Sequence, residues 1–170
     1  MKKSMALALS ALLAASVSAT AQEVPARIKE AGKLVIATMP NYPPITFKDP
    51  ATNELQGFDI DLGESIAKGL GVKAQWDEIA FAQMLPSLQT GRVDMVLAGM
   101  SDTAARQETA DFVDYLKSGA QFYTSTALAA EIKTPEDLCG KSVGASRSTN
   151  WPAQITEWSA ANCVAKGKPA

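Results

Sequence analysis

The chain has 170 residues, 46% of them hydrophobic, with 16 basic and 18 acidic residues and a formal charge of −2. A slightly acidic balance gives no basic stripe for phosphate, which argues against nucleic acid as a partner. The absence of histidine excludes Ser-His-Asp and Cys-His catalysis and the usual zinc sites, so any chemistry would rest on carboxylates, lysine or tyrosine.

Lys2 and Lys3 precede the apolar run MALALSALLAASV, and Ala19-Thr20-Ala21 follows it. This three-part pattern is that of a secretory signal peptide over 1–21, cleaved after Ala21. Processing removes two lysines and no acid, which leaves 149 residues and a formal charge of −4. The cysteines Cys139 and Cys163 are the only two, and an even count in an exported chain favours a disulfide between them over two free thiols.

The first expected elements are a short helix over 24–31, ended by Gly32, and a buried strand over 34–39, LVIATM. The loop PNYPP stops that strand, and its prolines hold it extended so that Tyr42 is presented at the strand's carboxyl end. A turn over 49–53 leads to a helix over 58–70, whose apolar stripe is Leu62, Ile66 and Leu70 and whose stop is Gly71. Asp59 and Asp61 at its start suit the helix dipole and read as structural. A strand over 73–79 and a helix over 81–91, interrupted or begun at Pro86, precede a third strand over 93–98. Strand, helix, strand, helix, strand implies parallel βαβ units in an open α/β sheet, where ligands sit beyond the carboxyl ends of the strands.

After the third strand, Gly99, Ser101 and Thr103 lead into one expected helical turn over 104–108, with Arg106 inside it. A cation in a first turn is disfavoured by about 0.3–1 kcal/mol unless an anion shares the site. A guanidinium presents parallel N–H donors to a carboxylate, with Ser101 and Thr103 able to complete the shell. The plainer alternative is a surface arginine paired with Asp102, Glu108 or Asp111. Tyr42 and Phe81 read as apolar walls of a site or as ordinary core. From residue 117 the character changes. An extended, strand-like connector leads to a helix start at Thr134-Pro135, a strand over 142–145, and a helix carrying Trp151, Ile155 and Trp158 on one face. Gly140-Lys141-Ser142 is not a phosphate loop, because Pro135 stands where its first glycine belongs and a strand follows instead of a helix. Residues 144–150, GASRSTN, form a small-residue loop before a helix N-terminus, suited either to an anion or to plain capping by Thr149 or Asn150.

Four segments, GKLVIATMPNYPPITF, GFDIDLGESIAKGLG, FAQMLPSLQTGRVDMVLAGMSDTAARQETADFVDYL and DLCGKSVGASRSTN, resemble in order and spacing the periplasmic solute-binding proteins of polar amino-acid ABC transporters, family 3. The resemblance implies a type II periplasmic-binding-protein fold, with two open α/β lobes joined by hinge strands. Lobe one would span 22–117, and an incomplete lobe two would span 118–170, since the family's second lobe continues further. It implies that Arg106 holds a ligand α-carboxylate, with Ser101 and Thr103 from lobe one and Thr149 and the loop from Ser146 to Asn150 from lobe two. Tyr42 and Phe81 would line the side-chain pocket, and the carbonyls of Ala98 and Gly99 would accept from the ammonium group. Met39 stands where some relatives carry an aspartate. The implied activity is capture of a small amino acid or related carboxylate and delivery to a membrane permease by a monomer, without cofactor, metal or catalysis. Alternatives on the same scaffold are a cyclohexadienyl dehydratase-like enzyme and a periplasmic sensory module.

Overall fold

The computed structural model of the protein describes residues 23–170; the expected signal peptide, 1–21, lies outside the described residues. A short helix α1, Ala26–Ala31, ends at Gly32 in the left-handed conformation and feeds strand β1, Lys33–Thr38. Strand β5, Lys73–Glu78, and strand β6, Met95–Val96, flank β1 in parallel, giving the order β5-β1-β6. The expected parallel α/β sheet is therefore formed, with β1 central.

Both faces of β1 are covered, and its side-chain alternation decides which residue meets which layer. Leu34 and Ile36 point into one cluster with Ala67 and Leu97, beneath helix α2, Phe58–Gly69. Val35 and Ala37 point the other way, to Met84 and Val93, beneath helix α3, Met84–Gln89. The expected stripe of α2, Leu62, Ile66 and Leu70, packs against the first cluster. The most buried face of the helix is instead Asp59, Ile60, Gly63 and Ala67. Gly63 is required there, since a Cβ would lie 2.5 Å from the Trp76 ring and 2.9 Å from Ile36.

The structure departs from the expected elements in four places. Between β1 and α2 the chain builds a small antiparallel sheet, β2 (Asn41–Tyr42), β3 (Thr46–Lys48) and β4 (Leu55–Gln56), where only a loop and a turn are expected. It is tied to the end of β1 by the buried Thr38 and Thr46 hydroxyls, 3.0 Å apart. The third parallel strand is shorter than 93–98, because the Asp94 carboxylate takes the Val35 N–H at 2.8 Å while also binding Arg27. The extended connector after residue 117 and the segment 142–145 run without strand pairing, for no described strand lies beside them to accept their backbone groups. Finally, the helix expected over 81–91 is a 3-10 turn, Phe81–Gln83, continued by α3.

The carboxyl-terminal region is organised by a 3-10 turn, Pro135–Leu138, with a Thr134/Asp137 capping box, and by helix α5, Trp151–Asn162. Cys139 and Cys163 are joined in a disulfide, as expected from the cysteine count, with Cα atoms 5.5 Å apart. Trp158 on α5 packs against Phe122, ring centroids 5.6 Å apart.

Candidate functional site

Three chain segments leave the carboxyl edge of the parallel sheet together. They are the loop after β1 carrying Tyr42, the 3-10 turn after β5 carrying Phe81, and the loop after β6 carrying residues 98–103. In an open α/β sheet this edge is where ligands are held. Ile79 N–H donates to the Thr38 carbonyl at 3.0 Å, which brings Phe81 alongside the end of β1.

Arg106 lies on α4, a single turn, Ala104–Gln107, capped by Thr103, whose hydroxyl accepts from Arg106 N–H at 3.4 Å. Its guanidinium donates to the Ser101 carbonyl at 2.7 Å and, from its other terminal nitrogen, to the Ser148 carbonyl at 3.3 Å. Cζ sits 5.5 Å from the centre of the Phe81 ring, within cation-π range. None of the carboxylates offered by the surface reading is its partner: among the described residues Arg106 makes no ion pair, and Asp102 accepts from Gln107 at 2.9 Å instead. Partial burial lowers the Arg106 pKa and leaves the group charged at neutral pH, since arginine does not lose its proton in proteins.

Around Arg106 lies a cavity of about 210 Å³ bounded by Phe81, Ala82, Leu85, Pro86, Met100 and Ser148. Asn150, at the start of α5, accepts from the Ser101 hydroxyl through its side-chain oxygen at 3.5 Å. Thr149 is turned back on its own loop, donating to the Ser146 carbonyl at 2.7 Å and accepting from Trp151 N–H at 3.3 Å. Ser146 thus contributes to loop shape, and Ser148, with φ of +64°, meets Arg106.

Tyr42, Ala98 and Gly99 stand to the other side of the same loop. Gly99 has φ of +58° and lies flat against Tyr42, where a Cβ would be 3.2 Å from the ring. Ala98 packs on the cluster of Ala37, Met84 and Val93, together with Met39, Phe81 and Met100. Beneath Gly99 is a pair that sequence reasoning missed. The Tyr115 hydroxyl donates to Asp59 Oδ1 at 2.9 Å and accepts from Gly99 N–H at 3.4 Å, and its ring stacks on Phe58 with centroids 6.1 Å apart. Asp59 is fully buried and its Oδ2 has no partner. Burial pushes the Asp59 carboxyl above its ordinary range, opposed by the Tyr115 hydroxyl and the Gly99 amide. Burial and the Asp59 charge push the Tyr115 phenol well up. Placing Asp59 on the Gly63–Ala67 face of its helix, four and eight residues on, would have flagged it.

Residues 34–170 match the family model of bacterial extracellular solute-binding proteins, family 3. The chain belongs to that family. An arginine-binding protein of Corynebacterium glutamicum is 32% identical over 145 residues, 85% of this chain and 47% of that protein. An L-cystine-binding protein of Escherichia coli K12 is 34% identical over 126 residues, 74% of this chain and 47% of that one. Among solved structures, an ancestral amino acid-binding protein, described as a precursor of cyclohexadienyl dehydratase, superposes with a TM-score of 0.72 at 34% identity, covering 78% of this chain and 59% of its own. The chain spans about half the length of the curated relatives it matches. The family and the periplasmic-binding-protein-like fold inferred from the four segments are thereby established.

Proposed function

We propose that this family member captures a small amino acid, or a related carboxylate, outside the cytoplasm and hands it to an ABC transporter permease without chemical change. Residues 22–117 serve as lobe one and 118–170 as part of lobe two, in a monomer reached through a cleaved signal peptide into the periplasm. The observation that carries this reading is Arg106: a charged guanidinium at the carboxyl edge of the sheet, over a cavity, whose partners among the described residues are carbonyl oxygens and an aromatic face. A carboxylate would supply the charge it lacks, with Ser101, Thr103, Asn150 and the loop from Ser146 to Thr149 around it, and Tyr42, Ala98 and Gly99 beside it. The arginine- and cystine-binding relatives support an amino-acid ligand.

The test is thermal unfolding of the processed chain with and without a panel of amino acids, since a ligand that binds only the folded state raises its apparent stability. Arg106→Ala should remove about 1.5–3 kcal/mol of binding, the worth of a charge-assisted contact. Unchanged affinity in that variant would end the assignment. The likeness to a dehydratase precursor supports one rival, an enzyme on this scaffold, which turnover of an arogenate-type substrate would reveal.

A further inference from the structure

We propose that Asp59 and Tyr115 are positioning residues: by drawing the Gly99 N–H inward they turn the Ala98 carbonyl the other way, to accept from the α-ammonium group of an amino acid whose carboxylate is held by Arg106. The inference rests on the amino-acid-binding reading above. Gly99 N–H donates to the Tyr115 hydroxyl at 3.4 Å, and that hydroxyl donates to Asp59 Oδ1 at 2.9 Å. A trans peptide is planar, with its N–H and C=O on opposite sides, and the cis bond among the described residues is Pro43–Pro44. The Ala98 carbonyl shares its peptide with the Gly99 N–H and therefore points away from Asp59 and Tyr115. Among the described residues no backbone N–H donates to it.

The pair is itself fixed in place. Asp59 N–H donates to the Ile45 carbonyl at 2.9 Å and Phe58 N–H to the Pro44 carbonyl at 3.2 Å, so the start of α2 is tied to the loop that carries Tyr42. The Tyr115 ring stacks on Phe58, and the Gly99 turn lies against the Tyr42 ring. A fully buried carboxylate with one oxygen unpartnered is an unfavourable way to secure a helix start, where an exposed acid serves the dipole equally well. Fixing the direction of one peptide gives that buried charge a task. The loop that begins at Ala98 reaches Arg106 through the Ser101 carbonyl at 2.7 Å. An α-amino acid carries its carboxylate and its ammonium on one carbon, so the ammonium needs an acceptor close to the carboxylate's donor, and an outward carbonyl three residues before Ser101 offers one.

The experiment is titration of the full processed chain, by calorimetry and by thermal shift at high ligand concentration, with three pairs that differ in the α-ammonium group alone. They are L-arginine and 5-guanidinopentanoate, L-lysine and 6-aminohexanoate, and L-glutamine and 4-carbamoylbutanoate. For a pair that binds, the wild-type chain should favour the amino acid by roughly tenfold or more. Tyr115→Phe should cut that preference by about fivefold or more, by weakening the amino acid and sparing its analogue. Asp59→Asn, which keeps an acceptor for the Tyr115 hydroxyl, should retain most of it. A merely structural role would weaken both members of a pair alike, and an unchanged preference in Tyr115→Phe would overturn the inference. So would a wild-type chain indifferent to the α-ammonium group, a result that does not depend on the variant folding. Either outcome leaves capture of the carboxylate by Arg106 standing. No heat and no thermal shift with any of these compounds would overturn both.

Discussion

Removing one oxygen from Tyr115 tests whether the buried carboxylate beneath the site loop depends on it. In Tyr115→Phe the ring still stacks on Phe58, but Asp59 Oδ1 loses a donor at 2.9 Å while Oδ2 has none to begin with. A hydrogen bond to an ionised group is worth about 1.5–3 kcal/mol, and a neutral one about 0.5–1.5 kcal/mol. Because burial raises the Asp59 pKa, the folded chain keeps its proton at pH values where the unfolded chain has released it. The stability contributed by protonated Asp59 is full below the unfolded value near 3.8 and is lost as pH rises through the folded one. The Tyr115→Phe penalty should follow the charge, about 1.5–3 kcal/mol above that window and about 0.5–1.5 kcal/mol below it. Urea unfolding followed by tryptophan fluorescence on both sides of the window measures it. A penalty that is larger in acid, or that stays under about 0.5 kcal/mol throughout, would refute the argument.

Gly57, with φ of +121°, opens α2, and a Cβ there would meet the Ile45 carbonyl oxygen at 2.5 Å; Gly71, with φ of +71°, has nothing within 4 Å. Gly57→Ala should thus cost about 3 kcal/mol or more and Gly71→Ala about 1–2 kcal/mol in urea unfolding. Asp94→Ala strips the acceptor from Val35 N–H and from Arg27, and should cost about 2–3 kcal/mol, partly restored in Asp94→Asn, as read by thermal midpoint. Reducing the Cys139–Cys163 bond, 24 residues apart in sequence, should cost about 3 kcal/mol. Dithiothreitol should then have no effect on a Cys139→Ser, Cys163→Ser double variant.

The parallel sheet was legible because its signal is local: LVIATM is apolar at five of its six positions, the exception being the buried Thr38, and Gly32 and Gly71 mark where the adjoining elements stop. The antiparallel sheet over 41–56 was not, since two- and three-residue strands carry no period to read, and the pairing of Asn41 with Phe47 is decided by the turn between them. Arg106 was legible as an isolated cation in a hydroxyl-rich loop. Asp59 was legible only as a structural acid at a helix start; its burial and its partner Tyr115, 56 residues later, are long-range features that the local sequence does not carry. Ser148 was included only as part of the loop from Ser146 to Asn150, because it acts through its carbonyl oxygen, which side-chain identity does not announce.

The reason for expecting an anion at Arg106 changes once α4 is known to be four residues long. A single turn has little macrodipole, so the field that would disfavour a cation there is weak. What remains is the accounting of donors. A guanidinium has five N–H groups in a fixed fork, and in this protein the described acceptors are the Ser101 and Ser148 carbonyls, at 2.7 and 3.3 Å. Carbonyl dipoles solvate a cation without neutralising it, whereas a carboxylate does both and makes bonds roughly twice as strong. Of the two carbonyls, Ser148 is the more distant and belongs to the exposed loop before α5, so it is the one a carboxylate displaces at least cost. On the proposed reading, the guanidinium that touches the 146–150 loop is also the one that receives the ligand. A carboxylate that takes the donor now held by the Ser148 carbonyl would release that loop, so on this reading the Arg106–Ser148 contact links ligand capture to the position of the 146–150 loop.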